Sequence, residues 1–176
     1  KKFKEAQSVQ LNIDPSNQWI MVHAGSGGSA NNLSASQYAE LIDDLSKKLN
    51  NAIFLLTVGP GEERLADRVK GLVSASVVLA QGYSLHDFCK LLACGDLFIA
   101  GSTGPLHIAG ALDIPTVGFF PMRRSATPLR WKPLNSNKRH LAFHPPKNRA
   151  VEDMNSIEME KVSDYVSAWY LETILP

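Results

Sequence analysis

Short apolar runs alternate with amphipathic stretches along the whole chain. The run AIFLLTV, at residues 52–58, is continuously apolar, which is typical of a strand buried on both faces of a sheet. Glycine, proline or polar residues follow each run, as expected where a strand ends. The runs that predict strands lie at residues 19–23, 52–58, 76–80, 96–100, 114–120 and 139–144.

The stretches between these runs carry helical signals. Ser34 and Gln37 have the spacing of a capping box, and apolar residues then recur at helical intervals. Ser84 with Asp87 predicts the start of another helix. The predicted helices cover residues 34–49, 62–72, 84–92, 105–112 and, as one final helix, 154–174.

Alternation of strands and helices predicts an α/β fold with right-handed crossovers. We predict a doubly wound, Rossmann-like parallel sheet of about six strands, in the order 3-2-1-4-5-6. Ligands of such sheets bind outside the carboxyl ends of the strands where the order reverses, here between the first and fourth strands. Residues 1–18 are expected to form a linker or strap from an N-terminal domain, and residues 19–176 the folded domain with its C-terminal helix.

Two glycine-rich loops follow these two strands, at residues 24–33 and 101–104. Pro105 suits the first turn of a helix, where free backbone N–H groups and the helix dipole favour an anion. Ser102 and Thr103 add hydroxyl donors, and Gly104 lets a ligand approach the backbone. The loop therefore predicts a phosphate or pyrophosphate site, or else a plain capped helix whose glycines allow close packing.

The first loop does not match the dinucleotide fingerprint. Gly25 and Gly27 fit its first two glycines, but Ala30 occupies the third, and no acidic residue closes the second strand. The loop also lacks the lysine of a phosphate-binding P-loop. A nucleotide-sugar fits this pattern better than a nicotinamide cofactor does.

Other candidate residues lie near the same edge. His107 falls on the first turn after Gly104, Tyr83 follows the third strand and Glu62 follows the second. Each has a structural alternative: a satisfied helical histidine, rim packing, and a carboxylate favoured by the helix dipole. The arginines after the fifth strand either clamp an anion or are solvated; they are Arg123, Arg124 and Arg130.

Composition narrows the class of protein. A chain of 176 residues can form one well-cored domain, and a net charge of +1 gives no reason to expect nucleic acid as a partner. Cys89 and Cys94 match no zinc signature, so we predict free thiols in a reducing compartment and no metal. No apolar run is long enough to span a bilayer.

From about Trp19 to Phe120, the sequence resembles the C-terminal half of family 9 glycosyltransferases, the heptosyltransferase family of lipopolysaccharide assembly. STGPLHIAGAL followed by IPTVGFF carries most of the resemblance. The glycine- and serine-rich first loop, GPGEER and GYSL support it.

The resemblance implies a B-type glycosyltransferase fold, with two Rossmann-like domains facing a cleft. This chain would be the half that binds the nucleotide-sugar donor. The catalytic base would come from the other domain, so we expect no catalytic residue in this chain. The donor contacts carried over are Ser26, Gly27, Glu62, Tyr83 and the T-G-x-x-H element of Thr103, Gly104 and His107.

Two positions depart from the pattern of members that transfer heptose. Ser102 stands where those members usually have Asp, and Asn31 stands where they usually have Lys. Both remain candidate donor contacts. The sugar and the nucleotide are therefore left open by the resemblance.

The function expected from the resemblance is donor binding in an inverting, metal-independent glycosyltransferase without a cofactor. A nucleotide-diphosphate sugar would be the donor, and a lipopolysaccharide or other glycan the acceptor, reached through the N-terminal domain. The expected location is cytoplasmic, at the inner face of the bacterial inner membrane, with peripheral membrane association. The alternatives are a nucleotide-sugar epimerase of the same architecture and a degenerate, non-catalytic nucleotide-binding domain.

Overall fold

The computed structural model describes residues 2–27, 31–122, 132–150 and 152–175. Its centre is a six-stranded sheet in which every neighbouring pair is parallel, in the order β3-β2-β1-β4-β5-β6. The predicted fold class and strand order are therefore confirmed. The strands are β1 (Gln18–His23), β2 (Ala52–Thr57), β3 (Val77–Ala80), β4 (Leu97–Gly101), β5 (Thr116–Phe119) and β6 (His140–Phe143).

Helices cover both faces of the sheet. They are α1 (Lys2–Leu11), α2 (Ala35–Lys48), α3 (Glu63–Leu72), α4 (Leu85–Leu92), α5 (Gly104–Ala111) and α6 (Met159–Trp169). The predicted capping box is present, because the Ser34 side chain accepts from the Gln37 N–H and the Gln37 side chain accepts from the Ser34 N–H. Ser84 caps α4 in the same way, accepting from the Asp87 N–H.

Alternate residues of each central strand enter two separate cores. In β1, Ile20 and Val22 pack with α2, α3 and α6, whereas Trp19 and Met21 pack with α1, α4 and α5. Successive side chains of a strand point to opposite faces of the sheet, and both faces of this sheet are buried. The two cores hold the strand ends in register, so His23 of β1 lies beside Ala100 of β4.

The C-terminal segment differs from the single helix predicted over residues 154–174. A 3₁₀ turn at Met154–Ser156 is followed by extended backbone at Ile157 and Glu158 before α6 begins, and a π-helical turn, Tyr170–Ile174, ends it. The Gln37 side chain donates to the carbonyl oxygens of Met154 and Ile157, at 2.9 and 3.2 Å. Because these two carbonyl oxygens accept from Gln37, the segment is interrupted before Met159 and does not form one continuous α-helix.

Helix α1 was not foreseen, since residues 1–18 carry no clear apolar periodicity. It packs on α4, and Lys4 contacts the Asp96 carboxylate at 3.3 Å. Its assignment as a linker or strap from a further domain stays a prediction. None of the helices in the described ranges is long and apolar enough to cross a membrane.

Candidate functional site

The loop after β4 and the first turn of α5 form one side of the switch point. Thr103 is the N-cap of α5, with extended backbone, and its side chain makes no capping bond. The residue is only 7% exposed, and its Oγ1 has no hydrogen-bond partner among the described residues. A buried hydroxyl without a partner is costly, so this atom is a candidate for hydrogen bonding to a group other than the described residues.

Gly104 begins α5 and is exposed at its N-terminus, with Pro105 in the first turn as predicted. Apart from its chain neighbours and the backbone of its own helix, no atom of the described residues would lie within 4 Å of a Cβ built on Gly104. Ser102 and His107 are half-buried on either side, and the His107 N–H donates to the Thr103 carbonyl at 3.4 Å. The surface at this helix N-terminus is therefore shaped to admit a group close to the backbone.

The loop after β1 is held by Asn32. The Asn32 side-chain NH₂ donates to the Ala24 carbonyl at 2.9 Å, and its Oδ1 accepts from the Tyr38 hydroxyl at 2.7 Å. Oδ1 also accepts from the Leu33 N–H at 2.8 Å. A Cβ on Gly101 would overlap this amide, so Asn32 packs against the end of β4. Asn32 thus fixes the first loop relative to the second.

Glu62 fixes the same loop on its other side. Its Oε1 accepts from the Gly27 N–H at 3.3 Å, and its Oε2 accepts from the Gly59 N–H at 3.1 Å. Gly27 has a φ of 55°, a conformation that favours glycine. A Cβ on Gly25 would overlap the carboxylate itself. Glu62 is the N-cap residue of α3 but makes no side-chain capping bond. Its side chain accepts from the N–H groups of the two loops instead.

A buried histidine backs this carboxylate. His23 Nε2 lies 3.3 Å from Glu62 Oε2, and His23 Nδ1 lies 3.0 Å from Thr57 Oγ1. The ring packs between Phe88 and Phe98. Burial lowers the pKa of His23 below its ordinary value, despite the opposing charge of Glu62, and this favours the neutral ring.

Tyr83 lies where the sequence predicts, after β3, but its hydroxyl is engaged. It donates to Gln7 Oε1 of α1 at 2.6 Å, and burial raises the pKa of its hydroxyl. A cleft of about 360 Å³ opens here between the ends of β2 and β3, lined by Val58, Gly59, Gln81 and Tyr83 among others. Because Gly59 also donates to Glu62, the cleft adjoins the carboxylate.

The structure thus brings most predicted site residues to one edge of the sheet. Ser26 is half-buried and Gly27 exposed in the first loop, and Asn31 is exposed at its far end. The three arginines, at 123, 124 and 130, lie outside the described residues. In the described ranges no cluster of three or more His, Cys, Asp or Glu side chains is arranged to hold a metal ion. Cys89 and Cys94 are free thiols.

Sequence reasoning missed three residues of this edge: His23, Asn32 and Tyr38. One signal was available for His23, which is a titratable residue at the end of the buried strand WIMVH. Asn32 and Tyr38 had no such signal. Their roles depend on which loop atoms the fold brings beside them.

The model of glycosyltransferase family 9 (heptosyltransferase) matches residues 2–160. The chain belongs to this family. A "Putative glycosyltransferase" of Haemophilus influenzae is 44% identical over 156 residues, which are 88% of this chain and 44% of that protein. The family match confirms the resemblance read from STGPLHIAGAL and its neighbours.

Solved structures of two heptosyltransferases have the same fold. The E. coli ADP-heptose lipopolysaccharide heptosyltransferase II superposes with a TM-score of 0.80 at 17% identity, over 98% of this chain and 52% of that one. E. coli heptosyltransferase WaaC with ADP gives 0.71 at 18% identity, over 93% and 48%. The chain spans about half the length of these relatives.

Proposed function

We propose that this chain is the nucleotide-sugar donor-binding domain of a heptosyltransferase-like glycosyltransferase. The observation that carries the proposal is the unpartnered, buried Thr103 hydroxyl at the exposed N-terminus of α5. It lies at the switch point, where parallel sheets of this order bind ligands.

A diphosphate suits this helix end. The first turn of α5 offers free N–H groups, the positive end of the helix dipole and the Thr103 hydroxyl. Gly104 adds no side chain between the ligand and the backbone. Ser102 and His107 flank the position and would contact the diphosphate or the sugar. Asn31 and Ser26 would approach the same group from the first loop, whereas the Gly27 N–H already donates to Glu62.

The nucleoside suits the adjoining cleft between the ends of β2 and β3. Its volume of about 360 Å³ is in the range of pockets that take small ligands. Tyr83 provides an aromatic wall, and Glu62 an acceptor for hydroxyl groups. One solved relative of the same fold is described with ADP, which makes ADP the first nucleotide to test.

The proposed reaction is an inverting, metal-independent transfer. A base in a further domain takes the proton of an acceptor hydroxyl, whose oxygen forms a bond to the anomeric carbon. The bond from that carbon to the diphosphate oxygen breaks, and the N–H groups of α5 stabilise the charge on the leaving diphosphate. The sugar is left open because Ser102 and Asn31 replace residues usual in members that transfer heptose. A lipopolysaccharide or other glycan acceptor, cytoplasmic location and peripheral membrane association belong to the same proposal.

Calorimetric titration of this chain with ADP, UDP and GDP tests the donor site. At least one should bind, and Thr103→Val should weaken that binding. No heat and no NMR shift change with any of them at millimolar concentration would favour the degenerate, non-catalytic alternative. Heat that Thr103→Val leaves unchanged would place the anion elsewhere.

Activity measurements separate the enzymatic alternatives. The 176-residue chain alone should transfer no sugar, because the base is expected outside it. Turnover of a nucleotide-sugar onto an acceptor by this chain alone would contradict that assignment. Recovery of an epimerised nucleotide-sugar, with no acceptor present, would favour the epimerase.

A further inference from the structure

The Glu62 carboxylate occupies a space that Gly25 and Gly59 leave for it. The Gly27 and Gly59 N–H groups donate to its two oxygens, and a Cβ on Gly25 would overlap it. A Cβ on Gly59 would lie 2.7 Å from Oε2. The side chain is still 18% exposed. The carboxylate is therefore fixed in place while one part of it faces the outside.

The hydrogen bonds behind the carboxylate define the state of His23. Thr57 Oγ1 lies 3.0 Å from His23 Nδ1 and 3.4 Å from the Val22 carbonyl oxygen, and its single proton can be donated to only one of them. With a neutral ring, the arrangement that directs an N–H at the Glu62 carboxylate has Thr57 donating to Nδ1. Nε2 then carries the proton and donates to Glu62 Oε2, 3.3 Å away. The opposite tautomer would aim a lone pair at a carboxylate oxygen.

We propose that His23, oriented by Thr57, is a positioning residue that holds Glu62 as a fixed acceptor for the hydroxyl groups of a nucleoside. This inference rests on the proposed function. His23 touches no ligand itself; it acts through the carboxylate, as groups behind a binding residue commonly do. Since Oε2 accepts from both His23 and Gly59, Oε1 is the oxygen with capacity for a ribose hydroxyl.

Without His23, Oε2 would lose its buried donor, and the side chain could leave the space between the glycines. A loosely held acceptor must be ordered again when ligand binds, which lowers affinity. The loss should appear only for ligands that carry the hydroxyl groups. Ligands held solely at the N-terminus of α5 should be indifferent to it.

The test compares His23→Phe with a matched variant, His23→Gln. Phenylalanine keeps a buried ring but has no donor. Glutamine places an N–H the same number of bonds from the backbone as Nε2. The probes are ADP, 2′,3′-dideoxy-ADP and inorganic pyrophosphate, titrated calorimetrically into this chain and both variants, with thermal unfolding as the folding control.

His23→Phe should weaken ADP binding about tenfold, the loss expected for one hydrogen bond to a charged group. Its affinity for dideoxy-ADP and pyrophosphate should equal that of the parent chain. His23→Gln should restore ADP affinity to within about threefold of the parent, a difference of less than 1 kcal/mol.

Three outcomes would overturn the inference. Equal ADP affinity in His23→Phe and the parent would remove the positioning role while leaving the donor site intact. An equal loss for all three probes would mean that His23 only supports the fold. Failure of the parent chain to bind ADP and pyrophosphate would overturn the proposed function, and this inference with it.

A measurement on the unaltered chain covers the case in which His23→Phe does not fold. The ring ¹⁵N shifts of His23 should report a neutral imidazole protonated at Nε2 at pH 7. A neutral ring protonated at Nδ1 would overturn the proposal, because Nε2 would have no proton to donate to Glu62.

Discussion

The loops after β1 and β4 lie side by side, are both rich in glycine, and are built in opposite ways. In the first, Asn32 and Glu62 bond to the loop backbone, and the space beside Gly25 is filled by a carboxylate of the chain itself. In the second, the Thr103 hydroxyl has no partner among the described residues, and a methyl group on Gly104 would contact none of their atoms.

The difference shows that glycines serve two purposes at this edge. Gly25 of the first loop allows the Glu62 side chain to approach the backbone, where it bonds to the Gly27 N–H. In the proposed site, Gly104 would allow a ligand to do the same. In the proposed site, the backbone that Asn32 and Glu62 hold in place would need little further ordering on binding, which favours affinity.

The largest expected effect comes from closing the open loop. Gly104→Val should abolish nucleoside diphosphate binding, a loss of roughly 100-fold or more, because it blocks at least two charge-assisted bonds of about 1.5–3 kcal/mol each. Gly104→Ala should give a smaller loss. Titration measures both, and far-UV circular dichroism should show an unchanged fold, since a Cβ here meets no described atom within 4 Å. Undiminished binding by Gly104→Val would mean that no phosphate approaches this backbone.

Removing the unpartnered hydroxyl should have the next largest effect. Thr103→Val should weaken binding by about 1.5–3 kcal/mol, the value of a bond to a charged group. It should leave the free energy of unfolding unchanged or higher, because no bond of the described chain is lost and a buried polar atom is removed. Nucleotide titration of this variant measures the expected loss of affinity, and urea unfolding measures the expected unchanged or higher free energy of unfolding. A destabilised variant would reveal a protein partner for the hydroxyl.

Filling the first loop should affect stability instead. Gly25→Ala sets a Cβ against the Glu62 carboxylate, and overpacking of this kind costs about 1–3 kcal/mol of unfolding free energy. The three atoms nearest to that Cβ all belong to Glu62, so in the Glu62→Ala background the same change should cost almost nothing. Equal costs in both backgrounds, measured by urea unfolding, would mean that the carboxylate does not occupy this space.

The smallest expected effect is the change in stability of Tyr38→Phe, a variant to compare with Thr103→Val. Tyr38→Phe also removes one hydroxyl, but this one donates to Asn32 at 2.7 Å. The free energy of unfolding should fall by about 1 kcal/mol, because Asn32 loses a partner. A Tyr38→Phe chain as stable as the parent would mean that Asn32 does not need this bond to hold the loop.

Sequence patterns predicted the frame of the molecule well. The capping box at Ser34 and the apolar strand runs are local signals, and the predicted order of strands is that of the doubly wound fold. The break before Met159 was missed because its cause, the bond from Gln37 to the Met154 and Ile157 carbonyls, joins residues far apart in the chain.

The site was predictable to the level of its loops but not of its contacts. Ser102, Thr103 and Gly104 precede a helix in the sequence, so their position at its N-terminus could be read directly. Glu62 was placed at the correct edge, yet its bonds to His23 and Gly27 depend on the register of β1 and β2. No sequence pattern indicates that one glycine faces the chain's own carboxylate while another faces the outside.

The central claim is that the anion binds at the open loop and not at the filled one. Titration of this chain with inorganic pyrophosphate, followed by ¹H–¹⁵N NMR, tests it most directly, because each backbone N–H reports separately. The account predicts the largest shift changes at the amides of Gly104 and Leu106, with little change at Gly25 and Gly27. Large changes at Gly25 and Gly27 with an unchanged Gly104 would contradict it.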